Sequence, residues 1–327
     1  MRLADIGENK ILRRLREFIS KKNLLPDDDS SAMIIEELVN SLSNSSIVVN
    51  TDGFVESTDA PLGMMPIHYG EKVAHMTLSD IFVKGVQPIG FLLSASIPKN
   101  DSFIKLYEIV EGAVSFCKKF DVAFLGGDLN ESKDLVLDGF AFGFSPEQSI
   151  IPRRGAKKTN LIVTIPWFGY ASIGLNFLLS QIDIDLSSEL LKKSVKEVYS
   201  PTPWFKEFMN VKNLVKITSS IDSSDGLAKS LNILAKQNNS AIAIHTLPLA
   251  DELKNAVPKQ YHFMFTMFGG EEFIPIFTIP KKEEKDLPEP FIVIGKLTRN
   301  KGPPKVYFEN ENGKKQEIPD KGWSHFI

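Results

Sequence analysis

VAFLGGD, residues 122–128, is a β-rich run, Val122 to Leu125, that ends on two glycines and an aspartate. Glycine suits a sharp turn or the close approach of another backbone, so this spacing predicts a strand followed by a tight turn that mounts a carboxylate. The construction recurs. It reads NTDG at 50–53, after the strand Ile47 to Val49, TLSD at 77–80 and IDSSDG at 221–226, and a triple acid stands at Asp27 to Asp29. Each aspartate alone is more often a turn or helix-cap residue than a functional one. Together they point elsewhere, because strand ends in layered α/β structures converge on one cleft. Crowded carboxylates oppose one another's ionisation, and a divalent cation relieves that repulsion. Magnesium takes oxygen ligands and completes its octahedron with water and substrate phosphates. A magnesium-nucleotide site is the expectation.

Outward from that stretch, helical and strand patterns mix without repeats. Lys10 to Lys22 reads as an amphipathic helix with Ile11, Leu15, Phe18 and Ile19 on one face. Tyr69 to Val86 reads as helix and Ile89 to Ser94 as strand. After Pro98, Asn100 or Asp101 is the expected cap of a helix carrying Phe103, Leu106, Ile109, Val110, Ala113, Val114 and Cys117. Leu135 to Phe144 reads as a long strand. Ser145 to Lys158, rich in Pro, Gly and charge, marks the boundary between domains 1–148 and 149–327. The second half runs strand Leu161 to Ile165, helices Ser172 to Leu179 and Ser187 to Tyr199, a strand ending at Ile221, a helix with Leu227, Leu231 and Leu234, and strands Ala241 to Ile244 and Phe273 to Thr278. Asn312-Gly313 signals a type I′ hairpin. Both halves mix helices and strands without the strict alternation of a doubly wound sheet.

With 327 residues and 43% hydrophobic content the chain can bury a full core and favours two domains. Its net charge of -3 gives no global pull toward nucleic acid or an anionic membrane. No apolar run approaches the roughly 20 residues that span a bilayer, and the opening residues lack a signal-peptide pattern. The expectation is a soluble cytoplasmic protein with neither nucleic acid nor membrane as partner. The single cysteine, Cys117, excludes an internal disulfide and falls in a helical apolar stripe, which makes it a core residue.

Neither GxxxxGK[ST] nor a convincing GxGxxG is present, so the familiar glycine-rich phosphate cradles are missing. His68, His75, His245, His262 and His325 show no HExxH spacing and no partner for a nucleophilic triad. What remains is chemistry by positioning and charge neutralisation, the mode of phosphoryl transfer.

In order and spacing, DDDSSA (27–32), NTDGFV (50–55), TLSD (77–80), FLGGD (124–128), RRGA (153–156), IDSSDG (221–226), GGEEF (269–273) and KGWSHF (321–326) resemble thiamine-monophosphate kinase, a family of the aminoimidazole ribonucleotide synthetase superfamily. The resemblance runs nearly the whole chain. It implies an α+β fold of two mixed α/β domains, the N-terminal one holding metal and ATP and forming a β-barrel across a homodimer. It also implies ATP- and Mg2+-dependent phosphorylation of thiamine monophosphate to thiamine diphosphate.

Carried across position by position, the resemblance makes Asp28 or Asp29, Asn50, Thr51, Asp52, Asp80, Asp128 and Asp222 magnesium ligands, with Asp225 holding a further ion. Gly127, Asp128, Arg153 and Ser224 would contact ATP, and Asp128 and Arg153 would act in catalysis. Asp59, Glu271 and Trp323 would contact thiamine phosphate. An aromatic face such as Trp323 can stack on a cationic heterocycle, and a C-terminal core tryptophan is the competing reading. The chain departs from the family in five places, one of them TIPWFGYASIGL (164–175), which stands for the glycine-rich turn opening the second domain. Asp27 replaces the glycine of Gly-Asp-Asp, Asn50 a serine, Asp59 a histidine, and Gly270-Glu271-Glu272-Phe273 stands for Gly-Glu-Asp-Tyr. These changes touch the acceptor side more than the metal side.

The acceptor is itself a phosphate, largely deprotonated near neutral pH, so direct in-line transfer from ATP needs no general base. Selenophosphate synthetase and hydrogenase-maturation relatives would carry a cysteine near the N-terminus or at the C-terminus, which this chain lacks. The alternatives that stay open are another ATP-dependent enzyme of the superfamily with a different acceptor, and a non-catalytic relative that binds nucleotide and metal.

Overall fold

Gly70 and Gly112 set how closely the two long helices of the N-terminal half approach. A Cβ on Gly70 would lie 1.8 Å from the Ile109 carbonyl oxygen, and one on Gly112 would lie 2.0 Å from that of Ile67. Helices Pro66–Phe82 and Phe103–Lys119 therefore cross backbone to backbone. Pro66 opens the first of them, where its missing N–H costs nothing. Ser102 caps the second by accepting from Lys105 N. Asn100 or Asp101 was the expected cap, and Ser102 takes the role because it is the residue directly before the first helical turn.

The computed structural model describes residues 2–6, 8–19, 21, 45–181, 184–299, 302–310 and 312–322. The chain divides into two compact units, residues 1–82 with 86–150, and residues 83–85 with 151–327. Among the described residues no helix is long and apolar enough to cross a membrane.

The first unit has a four-stranded sheet of β1 (Ser45–Val55), β2 (Pro88–Ile97), β3 (Ala123–Glu131) and β4 (Val136–Pro146), in the order β1-β4-β2-β3. All pairings are antiparallel except β2 with β3, whose connection is helix Phe103–Lys119. One sheet face carries Phe54, Phe91, Leu93, Ala95, Leu137 and Ala141, all buried, and packs on helix Pro66–Phe82. The other face carries Ile47, Val49 and Phe140, each exposed by 38% or more.

Two expectations about the acidic loops are corrected here. Asp52 and Asp128 lie inside β1 and β3, not in turns beyond them, because both strands continue through their glycines by pairing with β4 and β2. Asp80 sits in the last turn of helix Pro66–Phe82, not at a strand end. The N-terminal helix is shorter than its period suggests. Helix Glu8–Leu15 gives way to a 3₁₀ turn, Arg16–Phe18, with Ile11 buried and the Arg14 guanidinium over the Phe103 ring.

The second unit is built on a mixed seven-stranded sheet: β5 (Leu161–Thr164), β6 (Ser219–Ile221), β7 (Ala241–Ile244), β8 (Ile276–Ile279), β9 (Ile292–Thr298), β10 (Val306–Glu309) and β11 (Lys315–Ile318), in the order β11-β10-β7-β9-β5-β8-β6. Strands β5, β7 and β8 are almost uniformly apolar, and Ile162, Val163, Ile242, Ile244, Ile276 and Phe277 are fully buried. Helix Leu227–Gln237 adds Leu227, Leu231 and Leu234 to that core. Ser187 caps helix Ser188–Tyr199 as its spacing predicts. Residues 83–85 belong to this unit: the Ser220 hydroxyl donates to the Val83 carbonyl, and Lys84 Nζ to that of Ser220. The β10–β11 hairpin is present, but Glu309 pairs with Lys315, so its loop is longer than the two residues of a type I′ turn. Cys117 is fully buried and burial pushes its thiol pKa up, as befits a core residue.

Candidate active site

Asp222 to Gly226 forms the turn between β6 and helix Leu227–Gln237, and three separate motifs meet on it. Ser223, fully buried, accepts from Ile274 N–H at 2.9 Å through its hydroxyl. Ser224 accepts Glu271 N–H at its carbonyl oxygen, 2.7 Å away. Gly322 packs so closely that a Cβ there would lie 2.2 Å from the Asp225 carbonyl oxygen. Thus IDSSDG, GGEEF and the KG that precedes Trp323 converge, although they are far apart in sequence. Trp323 lies outside the described residues, as do Asp28 and Asp29.

Within this group Asp222 is buried, and its carboxylate accepts from the Ser224 hydroxyl at 3.4 Å. The Ser230 hydroxyl holds the Asp222 carbonyl at 2.8 Å, which ties the loop to the first turn of the helix. Asp225 forms an ion pair with Lys229 at 2.7 Å, one helical turn on. Glu271 has φ of +66°, and Phe273, two residues later, has +49°. The left-handed region is costly for side chains of this size. It also explains why β8 begins at Ile276 and not at Phe273.

Glu272 points elsewhere. Its carboxylate accepts from Gly169 N–H at 2.7 Å, at the start of helix Tyr170–Leu178, where a carboxylate complements the unsatisfied N–H groups. Burial pushes its pKa well above the ordinary carboxylate range. Hydrogen bonds from Gly169 and Ser172 work against that rise, and Glu197 adds to it. The substitution relative to the family therefore sits in a helix cap. Its partner is 103 residues away in sequence, so no local signal marks the contact.

In the first unit the alternation of β1 separates the expected ligands. Asn50 and Asp52 lie on the helix-packed face and Thr51 on the open one. Asn50 Nδ2 donates to the Thr77 carbonyl at 3.2 Å and to Asp80 Oδ2 at 3.3 Å, so Asn50 and Asp80 are brought together. A carboxylate in the last turn of a helix opposes the macrodipole, and cationic or hydrogen-bonding company stabilises it. Asp52 accepts from Gly53 N–H at 2.9 Å. Asp128 lies on the open face, exposed, and accepts from Asn130 Nδ2 at 2.6 Å. Asp52 and Asp128 stand on strands at opposite edges of the sheet, three strand spacings or roughly 14 Å apart along it. The sheet does not bring those two to one point. Gly127 is required by close approach, since a Cβ there would lie 1.7 Å from the Leu93 carbonyl oxygen.

Asp59 is engaged locally: Val55 N–H donates to Oδ2 at 2.7 Å and the Thr58 hydroxyl to Oδ1 at 2.9 Å, closing the short helix Glu56–Asp59. Arg153 lies in the loop ahead of β5. Its segment runs beside β6, with Ser220 N–H donating to the Pro152 carbonyl, and Asn238 clamps the Arg153–Ala156 turn from both sides of its amide.

The donors offered by the two units are carboxylates, a hydroxyl and an amide oxygen, a hard set that fits magnesium. Among the described residues no three His, Cys, Asp or Glu side chains form a metal-binding group. Magnesium is often held by one or two carboxylates plus substrate phosphates, so dispersed aspartates suit it better than a closed protein cage would.

Residues 28–145 match the family described as AIR synthase related protein, N-terminal domain. Along the whole chain the likeness is sharper. The thiamine-monophosphate kinase of Nitrosopumilus maritimus (strain SCM1) is 36% identical over 99% of this chain and 100% of its own length. The chain belongs to the thiamine-monophosphate kinase family. The thiamine-monophosphate kinase of Pyrococcus horikoshii is 30% identical over 86% of this chain and 87% of its own. Among solved structures, AaThiL complexed with AMPPCP and TMP superposes with a TM-score of 0.74, covering 100% of this chain and 99% of that one at 24% identity, which establishes the fold. Members of this family are ATP-dependent kinases, and the α+β architecture expected from the resemblance is the one found.

Proposed function

We propose that this protein phosphorylates thiamine monophosphate to thiamine diphosphate with ATP, by direct in-line transfer. The observation that supports this most is the convergence of Asp222–Gly226, Gly269–Phe273 and Lys321–Gly322 in a chain related from end to end to thiamine-monophosphate kinases. The neighbouring fold that binds AMPPCP and TMP agrees with it.

A phosphate oxygen of the acceptor attacks the γ-phosphorus of ATP. The new P–O bond forms as the bond to the β-γ bridging oxygen breaks, and ADP leaves with the electron pair. The acceptor oxygen is already deprotonated, so no side chain need take a proton. Asn50, Thr51, Asp52, Asp80 and Asp128 of the first unit, Asp222 and Asp225 of the second, and Asp28 or Asp29 would hold magnesium. When bound, the metal neutralises charge on the phosphates. Gly127, Asp128 and Ser224 would orient the nucleotide and Arg153 would offset charge on its phosphates. Glu271, Trp323 and Asp59 would contact the acceptor, Asp59 only if it gives up one of its local hydrogen bonds.

The first domain, 1–148, would carry metal, ATP and the dimer contact, and 149–327 the second α/β domain. The exposed apolar face of the first sheet, with Ile47, Val49 and Phe140, supports a homodimer closed as a β-barrel. The proposed setting is cytoplasmic, without nucleic acid or membrane. The test is a product assay with ATP, Mg2+ and thiamine monophosphate, with and without chelator. Chelator-sensitive thiamine diphosphate is the expected result. Magnesium-dependent ATP binding without product would overturn the acceptor assignment and favour a different acceptor or a non-catalytic relative.

A further inference from the structure

Glu56 opens the single helical turn that ends in Asp59, and its carboxylate is gripped from two other helices. Lys105 Nζ, in the first turn of helix Phe103–Lys119, reaches both carboxylate oxygens, at 2.7 and 2.8 Å, and also Asp101 at 3.0 Å. From helix Pro66–Phe82 the Tyr69 hydroxyl donates to Glu56 at 3.1 Å. The Glu56 N–H donates to the Leu135 carbonyl at 2.9 Å. None of Glu56, Tyr69 and Lys105 is among the residues assigned above to metal, nucleotide or acceptor.

Four residues do not hold a helical turn unaided, because nucleation fixes several dihedrals in return for one hydrogen bond. Two sets of contacts hold this one. The first is local and uses Asp59 itself, whose carboxylate accepts from Val55 N–H at 2.7 Å and from the Thr58 hydroxyl at 2.9 Å. The second is the long-range grip on Glu56, with the Ser57 hydroxyl donating to Asp134 beside it. An acceptor that draws on the Asp59 carboxylate competes with the first set and leaves the second intact. Lys105 is the centre of that second set. It is partly buried and shared by two carboxylates, so removing its charge would leave Glu56 and Asp101 repelling each other.

We propose that Lys105 and Tyr69 are positioning residues for the acceptor: through Glu56 they hold the turn in place while Asp59 exchanges Val55 N–H for the substrate. This rests on the kinase reading above and on Asp59 as an acceptor contact.

The test compares full-length wild type with Asp59→Asn, Lys105→Met, Lys105→Arg and the double variant Asp59→Asn with Lys105→Met, by KM for thiamine monophosphate and KM for ATP. Lys105→Met is expected to raise KM for thiamine monophosphate about tenfold with KM for ATP unchanged, and Lys105→Arg, which keeps the charge, to recover most of that loss. Where Asp59→Asn has already raised the acceptor KM, Lys105→Met should add nothing further, because both act through one contact. A lysine that only stabilises the fold would give additive effects or raise both KM values together, and either result would overturn the proposal. Tyr69→Phe deletes one hydroxyl and keeps its ring against Phe54 at 5.0 Å. It carries the test if Lys105→Met does not fold, and an unchanged acceptor KM in it would count equally against the grip. A wild type that forms no thiamine diphosphate would overturn the kinase reading itself. An active wild type with an indifferent Asp59→Asn would leave that reading standing and remove Asp59 from the site, and the proposal with it.

Discussion

Glu271 donates its backbone N–H to the Ser224 carbonyl oxygen at 2.7 Å while holding a left-handed φ of +66°. A glutamate in that conformation costs about 1 kcal/mol or more that glycine does not. The backbone hydrogen bond needs no side chain, so stability and function separate at this residue. Glu271→Gly is expected to melt no lower than wild type while losing at least about tenfold in kcat/KM for the acceptor. A fall in melting temperature with intact kinetics would show that Glu271 serves only to build the loop.

Asp128 is exposed in the middle of β3, and its recorded hydrogen bond is to its neighbour Asn130 at 2.6 Å. The strand is held by backbone pairing to β2 and not by that side chain. Asp128→Asn should therefore leave thermal melting unchanged and reduce turnover by about a hundredfold or more, because an amide is a poorer magnesium ligand than a carboxylate. Full activity in the variant would remove Asp128 from the metal and nucleotide assignment.

Gly127 meets the Leu93 backbone too closely to admit a methyl group, which would sit 1.7 Å from the carbonyl oxygen. Gly127→Ala must push β3 away from β2, and overpacking of this kind costs about 1–3 kcal/mol. The expected outcome in chemical denaturation is a lower midpoint together with lost ATP binding. An unchanged midpoint would mean that β3 shifts freely.

The parts of this architecture legible in sequence are those whose signal is local. The apolar period locates helices Phe103–Lys119 and Leu227–Gln237 by their core residues, and strand Ala241–Ile244 to the residue. The Gly-Gly-Asp run misleads because a glycine reads as a turn, whereas lateral pairing with β2 carries the strand straight through it. Asp80 is read two ways, inside the helix Tyr69 to Val86 and as the end of a strand-turn motif, and only the helical reading holds. TLSD resembles a loop, yet Leu78 and Ile81 are buried on the helix's inner face and keep it helical to Phe82. The helix cap by Glu272, the Asn238 clamp on Arg153–Ala156 and the packing of Phe263 on Phe308 each join residues far apart in sequence. Only the folded sheet brings those residues together.

Glu272 links the fold to pH. Its folded-state pKa is raised well above the ordinary 4.5 because burial disfavours the charged form. Below that ordinary value both folded and unfolded states hold the proton, and the stability is fully present. As pH rises, the unfolded chain ionises first, and stability falls until the folded-state pKa is passed. Glu272→Gln keeps an oxygen for Gly169 N–H and cannot ionise. The variant should lose less stability than wild type between pH 5 and pH 7 and melt a few degrees higher at pH 7. Parallel pH profiles for the two proteins would show that Glu272 is not the source of the dependence.

Ile47 and Val49 stand 58% and 52% exposed along β1, with Phe140 at 38% across the pair from Thr51, all on the sheet face opposite helix Pro66–Phe82. Apolar side chains in a continuous row on an open sheet call for a cover, and β1 and β3 also leave their outer edges unpaired among the described residues. A second copy meeting this face would bury the row and close both edges at once. Sedimentation at micromolar concentration is expected to show a dimer, and Val49→Asp with Phe140→Asp to give a folded but less stable monomer. These positions face away from helix Pro66–Phe82, so the substitutions leave the buried side of the sheet untouched. A wild-type monomer, or a dimer unaffected by two carboxylates placed in the row, would move the interface elsewhere.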